Sequence, residues 1–358
     1  MTTLWGGNQI GRYQLSTLEE GIDYVNDETE AIGKYHDEKI RDLFKEELDR
    51  GADIDYLFKG KKLRIRCGVV SYGLASGFRP IPQKLRRCLA VTEMLHTTSL
   101  LHDDVIDKSS MRRGGKTLND LLGDGAAVLA GDMLLADSFG YINRCITRRY
   151  IRILLADAMR TLVRGLKAEI YLRHDIYTAS YGIAPARDKI INLSSRCALI
   201  AQDKTAPLIE APFVTGAIYS HVSDETRRHL REFGFKLGYA YQLADDLLDV
   251  VGDPEETGKP LAVDLRSGNM NMVYAESLFD APPDKGMELL VAFAQRDLSP
   301  QTVNNVLETA RIYGVPRIER IIDERADGLK KKANQFTQNP VEHQFVCFLI
   351  DNLLHRKI

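Results

Sequence analysis

Glu93-Met94-Leu95-His96-Thr97-Thr98-Ser99-Leu100-Leu101-His102-Asp103-Asp104-Val105-Ile106-Asp107 is the stretch whose reading decides the fold. It holds no proline or glycine. With Leu89 and Val91 ahead of it, the apolar residues Leu95, Leu100 and Leu101 recur at helical spacing and predict one long buried helix. On that helix Asp103 and Asp107 stack on one face, with Asp104 about 100° around it. Carboxylates on an apolar helix repel one another and resist burial unless something positive joins them.

The pattern occurs twice. Asp245-Asp246-Leu247-Leu248-Asp249 repeats the spacing, flanked by Leu243, Ala244, Val250 and Val251. Two copies of one costly arrangement suggest a shared cation. Magnesium is the obvious candidate, because it takes oxygen ligands and joins a few carboxylates to substrate phosphates. A pair of aspartates is usually a solvated helix face, but the aliphatic neighbours and the duplication argue against that here. Basic segments supply the complement: Lys108 to Lys116, which includes Arg112-Arg113-Gly114-Gly115, and Gly60-Lys61-Lys62-Leu63-Arg64-Ile65-Arg66. Guanidinium forks bind phosphate oxygens in pairs, and adjacent glycines allow a tight loop beside a ligand.

Outside these segments the chain is unremarkable in charge. Its 358 residues carry 48 basic and 50 acidic side chains, which excludes a broad nucleic-acid surface. A hydrophobic content of 44% supports a large core. Cys67, Cys88, Cys145, Cys197 and Cys347 are scattered with no C-x-x-C pair and read as reduced thiols. No apolar run reaches transmembrane length, and residues 1–40 resemble neither a signal peptide nor a presequence. An intracellular protein is expected, cytoplasmic by absence of a targeting signal, with mitochondrion or another organelle still open. Helical spacing extends over residues 15–59, Ala198 to Ala217, Leu230 to Val251 and residues 300–358, with no convincing β-alternation. Breaks are expected at Gly77 to Pro82, Arg112 to Gly125, Ser180 to Asp188, Gly252 to Pro260 and Ala281 to Asp284. The expectation is one all-α domain over 1–358, a bundle of long helices round a central cavity.

These motifs resemble the trans-isoprenyl diphosphate synthases, the polyprenyl synthetase family. Glu93 to Asp107 followed by Arg112-Arg113-Gly114 looks like the family's first aspartate-rich region, and Tyr241-Gln242-Leu243-Ala244-Asp245 to Asp249 like the second. Ala127 to Leu135, Lys204-Thr205-Ala206, Gly258-Lys259-Pro260 and Asp264-Leu265-Arg266 match family segments in order. The match runs over about residues 40–275.

The resemblance implies a magnesium-dependent prenyltransferase that condenses isopentenyl diphosphate with an allylic diphosphate. Asp103, Asp104, Asp107, Asp245, Asp246 and Asp249 would coordinate three magnesium ions. Arg112, Lys204 and Lys259 would bind the allylic diphosphate. Lys61, Arg64, His96 and Arg113, with Tyr241 nearby, would hold isopentenyl diphosphate, while Thr205 and Gln242 would stabilise the carbocation. His102 is left as a packing residue. The family also implies a homodimer, and transient membrane contact for product release is compatible with it.

Thr98 and Ser99 precede Asp103 by about one helical turn, and Leu95 lies another turn deeper. Bulky aromatics at such positions close the tunnel in short-chain family members. Small residues here therefore favour a long all-trans polyprenyl product, such as the solanesyl-type chains that serve as quinone (ubiquinone) side-chain precursors, over geranylgeranyl or farnesyl diphosphate. Four departures stand out. Ile65 replaces a proline, Ala168 to Leu172 lacks the family's glycine and glutamine, and Asn269 and Asn271 replace lysine and threonine. They put the support around the metal ligands in question. The rival readings are a terpene cyclase, whose second motif normally mixes Asn, Ser or Thr with Glu, and a non-catalytic partner subunit, which usually loses aspartates that this chain keeps.

Overall fold

The structure is a computed structural model, and it describes residues 15–49, 51–178, 187–254, 260–295 and 297–355. Helix α1 (Leu18–Leu43) opens with a capping box. The Thr17 hydroxyl accepts the Glu20 N–H at 3.2 Å while the Glu20 carboxylate accepts the Thr17 N–H at 3.3 Å. The short α2 (Lys45–Asp49) precedes α3 (Leu63–Ser76) and α4 (Gln83–Ile106). A two-residue hairpin, β1 (Met111–Arg112) against β2 (Gly115–Lys116), is the only sheet among the described residues. Then come α5 (Leu118–Leu122), α6 (Asp124–Cys145), α7 (Arg149–Thr178), α8 (Arg187–Thr205), α9 (Pro207–Tyr219) and α10 (Asp224–Val251). The C-terminal part holds α11 (Val263–Ser267), α12 (Met272–Ser277), α13 (Pro283–Phe293), α14 (Pro300–Thr309), a π-turn at Ala310–Gly314, α15 (Val315–Ala333) and α16 (Pro340–Leu354). The chain is all-α, as expected. Most of the expected breaks at Ser180 to Asp188 and Gly252 to Pro260 lie outside the described residues.

Two apolar clusters hold these helices together. One packs α3, α9 and α10 against the C-terminal helices, with Phe213, Phe233 and Phe345 among its members. The other lies around α4, α6 and α7 and contains Val91, Met94, Leu95, Leu134, Leu155 and Leu162. Close helix approach depends on glycine: a Cβ at Gly216 would meet the Gly68 carbonyl of α3 at 2.7 Å. Gly131 of α6 receives the His102 ring, which would stand 2.4 Å from a Cβ there, and His102 Nε2 lies 3.3 Å from Asp132.

Three local expectations need correction. The run from Ala198 to Ala217 is two helices meeting at Ala206, because Pro207 has no N–H to continue the ladder. Helix α10 crosses at that interruption, where a Cβ on Gly238 would come within 2.7 Å of Ala206 Cα. The Arg112 to Gly125 break contains the hairpin, held through Arg113 and Gly114 at φ 52° and 75°; a two-residue strand has no alternation to read. And α6, at 22 residues, is apolar and long enough to cross a membrane. Its composition reflects packing along α4 on one face and an exposed Val128, Leu129 and Met133 on the other.

Candidate active site

The ends of α4 and α10 carry the two aspartate clusters, and the three carboxylates of each differ in environment. Asp104 is buried and Asp103 partly open. Arg112 reaches back from β1, placing Nε 2.7 Å from Asp104 Oδ1 and Nη2 3.5 Å from Asp103 Oδ2. Burial works against the Arg112 charge, but Asp104 and Asp103 outweigh it and hold the guanidinium above its ordinary range. Asp107 accepts the Asn269 side-chain amide at 2.9 Å. Burial, then the neighbouring Asp103 charge, pushes its carboxyl up to about 7.

In the second cluster Asp245 is exposed, and Asp246 and Asp249 are drawn inward. Asp246 accepts Gln242 Nε2 at 2.7 Å and the Met272 N–H at 3.1 Å, yet burial still raises it to about 7, with Asp264 adding to the effect. Asp249 accepts the Val263 N–H at 2.8 Å and the Tyr274 hydroxyl at 3.2 Å. Burial and then Asp264 push it well above the usual carboxylate range. Both rises have one origin: negative charge crowded where water is scarce.

Lys204, at the end of α8, ties the clusters together. Its Nζ lies 2.8 Å from Glu169 on α7. Although burial opposes its charge, Glu169, Asp264, Asp246 and Asp103 together hold it well above an ordinary lysine. A single ammonium thus feels carboxylates of both clusters. The adjacent Thr205 hydroxyl donates to Gln242 Oε1, whose amide goes on to Asp246.

On the α3 side of Arg112 the charge changes sign. The His96 imidazole is held neutral, well below its ordinary value, by burial and then by Arg64, Arg113 and Arg112. Arg113 donates to the Tyr56 carbonyl at 3.3 Å and lies over Gly60, where a Cβ would meet Nη1 at 2.8 Å. Burial and then Arg112 lower the Arg113 guanidinium, and Tyr241 is close enough to act on it. Arg64 Nε is buried with no hydrogen-bond partner, as is Glu93 Oε2 one turn before His96. Lys61 stands exposed at the start of α3. Three guanidiniums round a neutral imidazole, with an unmatched buried donor, are suited to holding an anion.

Leu95, Thr98 and Ser99 are all buried on α4 below the first cluster. Their polarity is spent locally: the Thr98 hydroxyl donates to the Met94 carbonyl at 3.2 Å and that of Ser99 to His96 at 2.7 Å. Of the residues singled out from sequence, Lys259 lies outside the described residues. The structure brings in others that sequence reasoning left without a role: Glu169, Arg173, Asp264, Asn269, Asn271 and Tyr274. Asn271 caps α12, donates to Asp264 Oδ2 at 2.9 Å and lies 3.5 Å from the Asp246 carbonyl. Leu172, where the family pattern has glutamine, is simply core. Their legible signal was proximity to Asp264 and to the Ala168–Leu172 segment.

Among the described residues no three acidic, histidine or cysteine side chains converge into a ready-made metal cage. The donor set nevertheless fits magnesium. It is all carboxylate oxygen, it faces a cation-rich anion wall, and its raised carboxyls mark repulsion that a divalent ion would relieve.

The model of the family described as polyprenyl synthetase matches residues 51–310, well over half of the chain. The chain belongs to the polyprenyl synthetase family. Among its relatives in this family of trans-prenyltransferases is a short chain isoprenyl diphosphate synthase of Methanocaldococcus jannaschii. It is 27% identical over 70% of this chain and 72% of its own length. Solanesyl diphosphate synthase 2 of Arabidopsis thaliana is 28% identical over 78% of this chain, which spans only 64% of that protein. Of solved structures, a Caulobacter crescentus polyprenyl synthase complexed with calcium and isoprenyl diphosphate superposes with a TM-score of 0.78. It is 25% identical and covers 94% of this chain and 98% of its own. A Corynebacterium glutamicum geranylgeranyl pyrophosphate synthase complexed with isoprenyl diphosphate and magnesium reaches 0.73 at 21% identity, covering 95% of this chain and 99% of its own, and supports the shared fold.

Proposed function

We propose that this member of the polyprenyl synthetase family joins isopentenyl diphosphate to an allylic diphosphate and repeats the step to build an all-trans polyprenyl diphosphate. The observation that carries the reading is two facing carboxylate clusters sharing Lys204, next to a wall of Arg64, Arg112, Arg113 and His96. One half suits a metal-bridged diphosphate and the other a diphosphate held by cations alone. Asp103, Asp104, Asp107, Asp245, Asp246 and Asp249 are the residues that would hold magnesium, three ions by the family pattern. Bound there, magnesium would offset the negative charge that builds on the leaving diphosphate.

Arg112 and Lys204 add fixed positive charge beside that leaving group, so the carbon–oxygen bond ionises to an allylic cation and free diphosphate. Thr205 and Gln242, hydrogen-bonded to each other, present oxygen dipoles to the cation. Arg64, Arg113, His96 and Lys61 orient isopentenyl diphosphate so that its double bond attacks. The new carbon–carbon bond leaves a tertiary cation, which loses a proton to the released diphosphate. No protein base is needed, and the raised carboxyls of Asp107 and Asp246 are not assigned that role.

Small, buried Thr98 and Ser99 below the first cluster support a long product, and relatives named for solanesyl and for short chains bracket the range. The exposed Val128, Leu129 and Met133 on α6 support a homodimer in which a second copy covers that face. Incubating the purified protein with magnesium, labelled isopentenyl diphosphate and allylic primers tests the reading. Elongated products of defined length are expected. A chain that elongates no primer would sink it.

A further inference from the structure

Arg173 lies one turn beyond Glu169 on α7, and its side chain is built into the site. The stem rests on Gly268, which sits at φ 75°, where a Cβ would stand 3.1 Å from Arg173 Cδ. Its Nη1 donates to the Ser267 carbonyl at 2.9 Å. The same nitrogen lies 3.5 Å from Asn269 Oδ1 and 3.9 Å from Asp107 Oδ1. Asn269 turns its amide the other way, donating to Asp107 at 2.9 Å. Arg173, Asn269 and Asp107 therefore form one chain of contacts linking α7, the loop after α11 and the end of α4.

All these contacts use Nη1. The side chain remains 27% exposed. Asn269 stands where the family pattern has a lysine, so residue 269 here brings an amide and no charge. Asp107 is nevertheless in contact with a cation, Arg173, supplied from α7, nearly a hundred residues before position 269. A partly exposed guanidinium at the rim of a carboxylate cluster is suited to phosphate oxygens.

We propose that Arg173 is a positioning residue that carries the positive charge on the Asp107 side of the site, orienting Asp107 through Asn269 for the metal-bridged allylic diphosphate. The role rests on the prenyltransferase reading. It makes this chain's departure at residue 269 a relocation of charge from one element to another.

Four variants test it: Arg173→Ala, Arg173→Gln, Arg173→Lys and Arg173→Ala combined with Asn269→Lys. Each is assayed for primer and isopentenyl diphosphate KM, for the magnesium concentration giving half-maximal rate, and for Tm. Arg173→Ala and Arg173→Gln should raise the primer KM and the magnesium requirement roughly tenfold, the scale of one charge-assisted hydrogen bond. The KM for isopentenyl diphosphate should stay within about twofold. Arg173→Lys should retain most of the activity, and Asn269→Lys should restore most of what Arg173→Ala loses, a rescue that a purely structural role would not give. If Arg173→Ala does not fold, Arg173→Gln, which keeps a donor for Ser267, decides the matter. Wild-type kinetics in a folded Arg173→Gln protein, or no rescue by Asn269→Lys, overturns the assignment. A wild-type chain that elongates nothing overturns the prenyltransferase reading itself and this role with it.

Discussion

Asp107 and Asp246 hold their protons to about pH 7 because burial and neighbouring carboxylates penalise their charge. Their folded values lie above the unfolded 3.8, so between about pH 4 and pH 7 the native chain binds more protons than the unfolded one. Stability of the metal-free protein should therefore fall as pH rises through that window and level off above it. Asp246 alone contributes up to about 4 kcal/mol of this change. Magnesium should reverse the trend, so its Tm increment should be larger at pH 8 than at pH 5; thermal melts with EDTA and with magnesium measure both. An equal increment at the two pH values would refute the account. Lys204 makes a second test. Removing it leaves Glu169 buried beside Asp103 and Asp264, so Lys204→Ala should destabilise the fold by about 3–5 kcal/mol. Chemical denaturation of the metal-free protein reads that loss.

At the scale of elements, α4 does two jobs at once. Its C-terminal end presents aspartates, and a turn or two below them it buries Thr98, Ser99 and Leu95, of which Leu95 joins the apolar cluster shared with α6 and α7. Ser99→Phe or Thr98→Phe should shorten the product, read by reverse-phase chromatography of the dephosphorylated chains, while the overpacking costs about 1–3 kcal/mol. Unchanged length would show that the chain descends elsewhere. The α4–α6 contact is equally testable. A side chain on Gly131 meets the His102 ring, so Gly131→Val should lower Tm by several degrees, and adding His102→Ala should recover part of it.

For the whole molecule, α6 decides the expected assembly. Its outer face leaves Leu129 69% exposed beside Val128 and Met133, an apolar strip that a monomer would show to water. Sedimentation equilibrium should report a dimer, and Leu129→Asp should shift it toward monomer. A wild-type monomer at micromolar concentration would remove this reading of the strip. Helical class was legible from proline-free periodicity over α4 and α10, since that signal is local. The break at Ala206 was written plainly in Pro207, but the apolar run across it masked the boundary. The hairpin at Met111–Lys116 was too short to leave a periodic trace.

The sequence by itself determined that two aspartate clusters ride on long helices, because spacing of four along a helix fixes a shared face. It named Arg112 and Lys204 beside them but gave no role to Glu169, Arg173 or Asp264. Only the tertiary structure decided how they pair. Asp104 took Arg112, Lys204 settled between both clusters against Glu169, and Asp107 took Asn269 with Arg173 behind it. Arg173 and Asn269 are 96 positions apart, and nothing local relates them. The packing of α7 against the loop after α11 does, and it made a position that read as a missing lysine into the neighbour of an arginine.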